Sequence, residues 1–137
     1  MDMEALARQV VDCGFEVHKG LGPGLLESVY ELVLAKAIER RGFHVERQRP
    51  ISFTFDSMNF SDAFRADLLV EGVLIIEVKS VEQTLPVHGK QVLTYLRLLK
   101  QPLGLLINFG GETLKEGLRR VVNNHKTFAP SRLGVNK

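Results

Sequence analysis

Apolar residues recur at helical spacing in the first part of the chain and at alternate positions after it. From about Met3 to Lys19, Leu6, Val10, Cys13 and Val17 stand three or four apart with charges between them, which predicts an amphipathic helix. The helix stops at GLGPG, from Gly20 to Gly24, where glycines and a proline break the pattern. A second helix is expected from Pro23 or Gly24 to about Arg41, with Leu26, Val29, Tyr30, Val33, Ala37 and Ile38 as its apolar stripe. Gly42 suits the position just past its end, and Arg40 and Arg41 suit the negative end of the helix dipole.

Period two follows. His44 to Phe55 predicts one long or broken strand, with Val45, Ile51, Phe53 and Phe55 apolar and Pro50 an interruption or edge signal. A turn over Asp56, Ser57, Met58 and Asn59 leads to strands over Phe60–Val70 and Val73–Lys79. Pro86 opens a helix to about Lys100, with Val92, Tyr95, Leu96 and Leu99 inward, and Leu103–Phe109 predicts another buried strand. Thr113 and Glu116 have capping-box spacing; Leu114, Leu118, Val121 and Val122 then fit a short helix, and RRVVN equally fits an edge strand. The tail from Thr127 is expected to be loose. With no repeats or linkers, the order predicts a mixed α/β fold in a single domain spanning residues 1–137, its core at about 5–123.

The stretch Phe64–Lys79, FRADLLVEGVLIIEVK, places acids where the pattern is most apolar. Glu77 and Lys79 share a face because strand side chains alternate. A carboxylate and an ammonium in a strand apolar on both faces are costly to bury unless paired, metal-bound or open to a cleft. A two-residue turn at Glu71-Gly72 would set Asp67 opposite Ile76. A three-residue loop, Glu71-Gly72-Val73, pairs Val70 with Leu74 and Asp67 with Glu77, and this loop is the expectation. On the following helix His88, Gln91 and Tyr95 lie on one face. Gln91 joins the site if that face looks at the strand. Glu27, in the first turn of the second helix, complements its dipole, and Tyr30 suits core packing.

Composition removes some classes. The chain has 137 residues, is 45% hydrophobic and 25% charged, and carries a net charge of +2, so no overall basic character forces a nucleic-acid reading. The cluster Arg40, Arg41, His44, Arg47 and Arg49 is more often a solvated face. The lone Cys13 excludes an internal disulfide and a cysteine-based zinc site. His18, His44, His88 and His125 form no close-spaced ligand pair. No apolar run approaches the roughly 18 residues of a membrane span, and MDMEALARQV has no signal-peptide core. A cytoplasmic protein is the default.

Asp67, then Glu77-Val78-Lys79, then a helix bearing Gln91, resembles the signature of the PD-(D/E)xK nuclease superfamily. HKGLGPGLLESVYE, with Gly24, Glu27 and Tyr30 in place, resembles the hallmark of its GxxExxY family. FRADLLV, LIIEVKS, His88 with Gln91, TYLRLL and PLGLLINFGG follow in the family's order. The resemblance covers about residues 5 to 123; Ala66 replaces the proline before the acid, and Ser57–Asp62 carries no distinctive family residue.

The resemblance implies a restriction-endonuclease-like core, αβββαβ, with a mixed four-stranded sheet flanked by helices and an extra N-terminal helix. It implies Asp67, Glu77 and Glu27 as ligands of Mg²⁺ or Mn²⁺, with Lys79, Glu27 and Gln91 as catalytic groups. His18, Tyr30 and His88 would be outer groups around the metal or phosphate. Mg²⁺ prefers hard oxygen ligands and keeps several waters, so two or three carboxylates suffice. The implied partner is nucleic acid, with no membrane; a nuclease this small often needs a second copy to grip a duplex, which puts a homodimer in view. Each residue has a plainer rival: Glu77 with Lys79 as an ion pair, Glu27 as a dipole partner, Tyr30 as packing. Three readings follow: a metal-dependent nuclease acting on DNA or RNA, a catalytically idle nucleic-acid-binding module, and a protein-interaction module.

Overall fold

The computed structural model describes residues 1–124, and the expected loose tail from Thr127 lies outside them. The first helix, α1 (Met3–Leu21), is capped by Asp2, whose carboxylate accepts the Ala5 N–H at 2.7 Å. Its expected stripe, Leu6, Val10, Cys13 and Val17, is buried.

Helix α2 (Glu27–Arg40) starts later than expected. Gly22 and Gly24 hold positive φ, +70° and +110°, which no helix accepts. The Tyr30 hydroxyl also accepts the Leu25 N–H and donates to the Gly22 carbonyl, fixing the bent loop ahead of the helix. The buried face differs accordingly. Tyr30, Glu31, Leu34, Ala35 and Ile38 are inside, whereas Leu26 and Val29 are exposed. Val33 and Ala37 pack at the margin. Gly42 takes φ +94° just past the helix, as expected.

Strands β1 (Val45–Phe55) and β2 (Met58–Val70) form a long antiparallel hairpin. Its tip is shorter than the expected four-residue turn. Asp56 and Ser57 both take positive φ, the type I′ pattern that matches strand twist, so Met58 and Asn59 already belong to the ladder. Strand β3 (Leu74–Lys79) pairs antiparallel with β2; helix α3 (Pro86–Leu99) then crosses over to β4 (Leu103–Asn108), parallel to β3. A single turn, α4 (Leu114–Gly117), is capped by Thr113. Beyond it Leu118, Val121 and Val122 do not continue the helix. They lie in β5 (Leu118–Val122), the edge-strand alternative, because pairing there satisfies the outer backbone groups of β4.

The sheet order is β1-β2-β3-β4-β5, so the αβββαβ core is present and a fifth strand extends the expected four. Helices α1 and α2 cover one face, over Leu68, Val70, Ile76, Val78, Leu105 and Ile107. Helix α3 covers the other, over Leu69, Ile75 and Leu106. β3 and β4 are buried almost throughout, which is why their sequences are continuous apolar runs. Among the described residues no helix is long and apolar enough to cross a membrane.

Candidate active site

β2 and β3 are paired over only part of their length: Val70 faces Leu74, Leu69 faces Ile75 and Leu68 faces Ile76. The loop therefore has three residues, with Glu71 and Gly72 at positive φ. The next pair in this register is Asp67 with Glu77, and there side chains replace the ladder. The Asp67 N–H donates to Glu77 Oε2 at 2.9 Å, and the Val78 N–H donates to Asp67 Oδ2 at 2.8 Å. Two acids from neighbouring strands are thus crossed over each other's backbone.

Burial makes this arrangement electrostatically demanding. Glu77 is 4% exposed. Its carboxyl is pushed up to about 8, first by burial and then by the charge of Asp67, with Glu27 adding to the rise; the Asp67 N–H and the Lys79 ammonium oppose it. Lys79 follows Glu77 on the same face and is only partly buried. No ion pair within 4.0 Å joins them among the described residues, so the rival structural pair is not formed here. Glu27 opens α2, where its partly buried carboxylate acts on Glu77 from the helix side.

Helix α3 supplies the third wall. Tyr95 lies inside it, its ring stacked on Phe64 with centroids 4.1 Å apart. Burial and then the charge of Glu77 push the Tyr95 hydroxyl upward, and a hydrogen bond from Gln91 opposes this. Tyr95 shares a core with Ile75 of the strand that bears Glu77, whereas Gln91 is exposed and makes no contact with Glu77 or Lys79 among those the structure gives. His88 is engaged elsewhere: its Nδ1 accepts the Leu85 N–H at 3.0 Å, closing the first turn of α3. His18 is buried, with Nε2 3.0 Å from the Gly111 carbonyl. Tyr30 does two things at once, stacking on Phe109 at 4.7 Å and tying down the glycine loop ahead of Glu27.

Two members of the cluster were not singled out by the sequence pattern. Glu31, one helical turn after Glu27, is 4% exposed and holds Arg47 at 3.2 Å and Gln48 at 2.8 Å. Burial and then Asp67 push its carboxyl upward. An acid inside a buried stripe, four residues from another candidate, was the available signal. Gln48 reaches from Glu31 to Asp67. Nothing in its own neighbourhood of the sequence marks it.

The donor set suits a hard divalent cation in chemistry. Asp67 and Glu77 present oxygen ligands side by side, and the charge of Asp67 adds to burial in raising the Glu77 carboxyl. Among the described residues no three His, Cys, Asp or Glu side chains stand close enough to form a ready-made cage.

No curated protein and no solved structure matches this chain. A family model described as the PD-(D/E)XK nuclease superfamily matches residues 4–121. With a mixed sheet flanked by helices and paired acids at the parting of its central strands, the chain belongs to the PD-(D/E)XK nuclease superfamily.

Proposed function

We propose that this chain is a metal-dependent phosphodiesterase that cleaves DNA or RNA, a GxxExxY member of its superfamily acting as a single cytoplasmic domain. The observation that carries the reading is the crossed bonding of Asp67 and Glu77, with Lys79 next on the same face. Asp67 and Glu77 would hold Mg²⁺ or Mn²⁺, joined by Glu27 directly or through water. When bound, the cation would draw charge from a phosphate oxygen and lower the pKa of a neighbouring water.

The remaining work falls to the chain itself. Lys79 Nζ would donate to the attacking water or to a phosphate oxygen and offset the charge that grows as phosphorus becomes five-coordinate. Gln91 would hold water or phosphate through its amide. The burial around Glu77 would exclude bulk water, so these charges act in a less polar setting than at the open surface.

The test is incubation of labelled single- and double-stranded DNA and RNA with the protein and Mg²⁺ or Mn²⁺. Cleavage abolished by a chelator, and lost in Asp67→Ala and in Lys79→Ala, is expected. Absence of cleavage, together with no saturable Mn²⁺ binding by calorimetry, would overturn the reading. The second reading is a nucleic-acid-binding or protein-interaction module on the same fold. As a nucleic-acid module it would show salt-dependent binding that survives Lys79→Ala, without cleavage. Sedimentation would tell whether a homodimer forms.

A further inference from the structure

Gln48 stands at an irregularity shared by two strands. The β1–β2 ladder pairs Arg47 with Leu68 and Arg49 with Ala66, and skips Gln48 and Asp67 between them. Gln48 has φ +53°, a left-handed backbone that a non-glycine residue adopts only under local constraint. Both strands change face at this point. Val45 and Leu68 belong to the core beneath α1 and α2, whereas Ile51 and Ala66 belong to the core beneath α3.

The constraint is visible in the contacts. Gln48 Nε2 donates to Glu31 Oε1 at 2.8 Å and to Asp67 Oδ1 at 3.3 Å. Its own carbonyl accepts from Arg65 Nη1 at 3.2 Å. Glu31, buried on α2, is held on its other oxygen by Arg47. Asp67 Oδ2 is already bonded to the Val78 N–H, so the Gln48 amide fixes the remaining freedom of that carboxylate. The choice of an amide matters. It carries two N–H donors and no charge, so it can bridge two carboxylates while leaving Asp67 its full negative charge for a cation. An arginine there would neutralise the group it orients.

We infer that Gln48 is a positioning residue for Asp67, anchored from behind by the buried carboxylate of Glu31. This deepens the nuclease reading above and rests on it. The rival is a purely structural role, in which Gln48 only satisfies Glu31.

Gln48→Gly separates the two, because glycine accepts φ +53° and removes only the side chain. The measurements are Mn²⁺ affinity by calorimetry and thermal unfolding of the metal-free protein. Mn²⁺ binding weakened by about 10- to 100-fold is expected, the usual effect of removing a group that orients a metal ligand. Glu31→Ala should weaken it similarly, and the double variant no more than either alone, since both act through one contact. Gln48→Asn, whose shorter amide tolerates the same backbone but cannot span both acids, is expected to show the same loss and serves if the glycine variant does not fold. Wild-type affinity in folded Gln48→Gly or Gln48→Asn, with only the unfolding temperature changed, would overturn this inference and leave the nuclease reading standing. No Mn²⁺ binding and no cleavage by the wild type would overturn both.

Discussion

The backbone N–H of Asp67 donates to the carboxylate of Glu77 on the neighbouring strand, 2.9 Å away, while the Asp67 carboxylate takes the N–H of Val78, 2.8 Å away. Each acid thereby closes the backbone position that the other leaves without a ladder partner. The pair has two roles in the fold: its bonds end the β2–β3 ladder, and they hold two carboxylates on neighbouring strands side by side.

That double role makes the metal-free protein sensitive to pH. Glu77, ordinarily near 4.5, is pushed up to about 8 in the fold, first by burial and then by Asp67. Between those values the unfolded chain has released a proton that the folded protein keeps. The group's contribution to stability is therefore full below the lower value and is lost as pH rises through the upper one. In chelator, wild type should lose unfolding temperature between about pH 5 and about pH 8.5, and Glu77→Gln should lose distinctly less. Glu31 is pushed in the same direction and remains in both proteins, so the difference between the two curves isolates Glu77. Identical curves would contradict the assignment.

Lys79→Met tests the division of labour in the site. Its ammonium has no carboxylate within 4.0 Å among the described residues, so its loss should leave the fold and Mn²⁺ binding near wild type. Cleavage should fall by about 100-fold or more, as for removal of a group that supports developing charge. Single-turnover rates at saturating Mn²⁺ would show it.

Asn108 offers a test outside the acids. It is 3% exposed, and its amide accepts the Val81 and Gly110 N–H groups, both at 3.0 Å, and donates to the Val81 carbonyl at 2.9 Å. This pins the segment that leaves β3 just after Lys79. Asn108→Leu keeps the volume and forfeits the bonds, at a cost of about 2–3 kcal/mol in urea unfolding. Gly110→Ala should also destabilise, since a Cβ there would lie 2.3 Å from the Val81 carbonyl oxygen.

Tyr30→Phe keeps the ring on Phe109 and removes the hydroxyl that holds Gly22 and Leu25. A loss of about 1 kcal/mol is expected. Faster hydrogen exchange should be confined to the Gly20–Leu26 loop, read by mass spectrometry.

Much of the fold was legible because local pattern and final environment agree. The stripe of α1 and the apolar runs of β3 and β4 appear as periodicity predicts, and the three-residue loop after Val70 appears as expected from setting Asp67 opposite Glu77. The start of α2 was not, because a tyrosine hydroxyl from within the helix claims the loop backbone, a contact no spacing reveals. The face change at Gln48 was hidden for a different reason. Val45 and Ile51 keep strict alternation, yet one left-handed residue between them sends them to opposite cores. Of the site, the acids on β2 and β3 were legible as anomalies in an apolar run. Glu31 looked like an ordinary helix acid until α2 was rotated to bury it.

The Glu71–Val73 loop lies on the surface, with Glu71 and Gly72 exposed, where chains usually tolerate insertions. Here its length acts as a gauge for the interior. One residue more or less would slide β2 against β3 and turn Asp67 away from Glu77, with both cores still available to be filled. A change of length at a solvent-facing hairpin would thus part the two acids deep in the sheet, far from where the chain was altered.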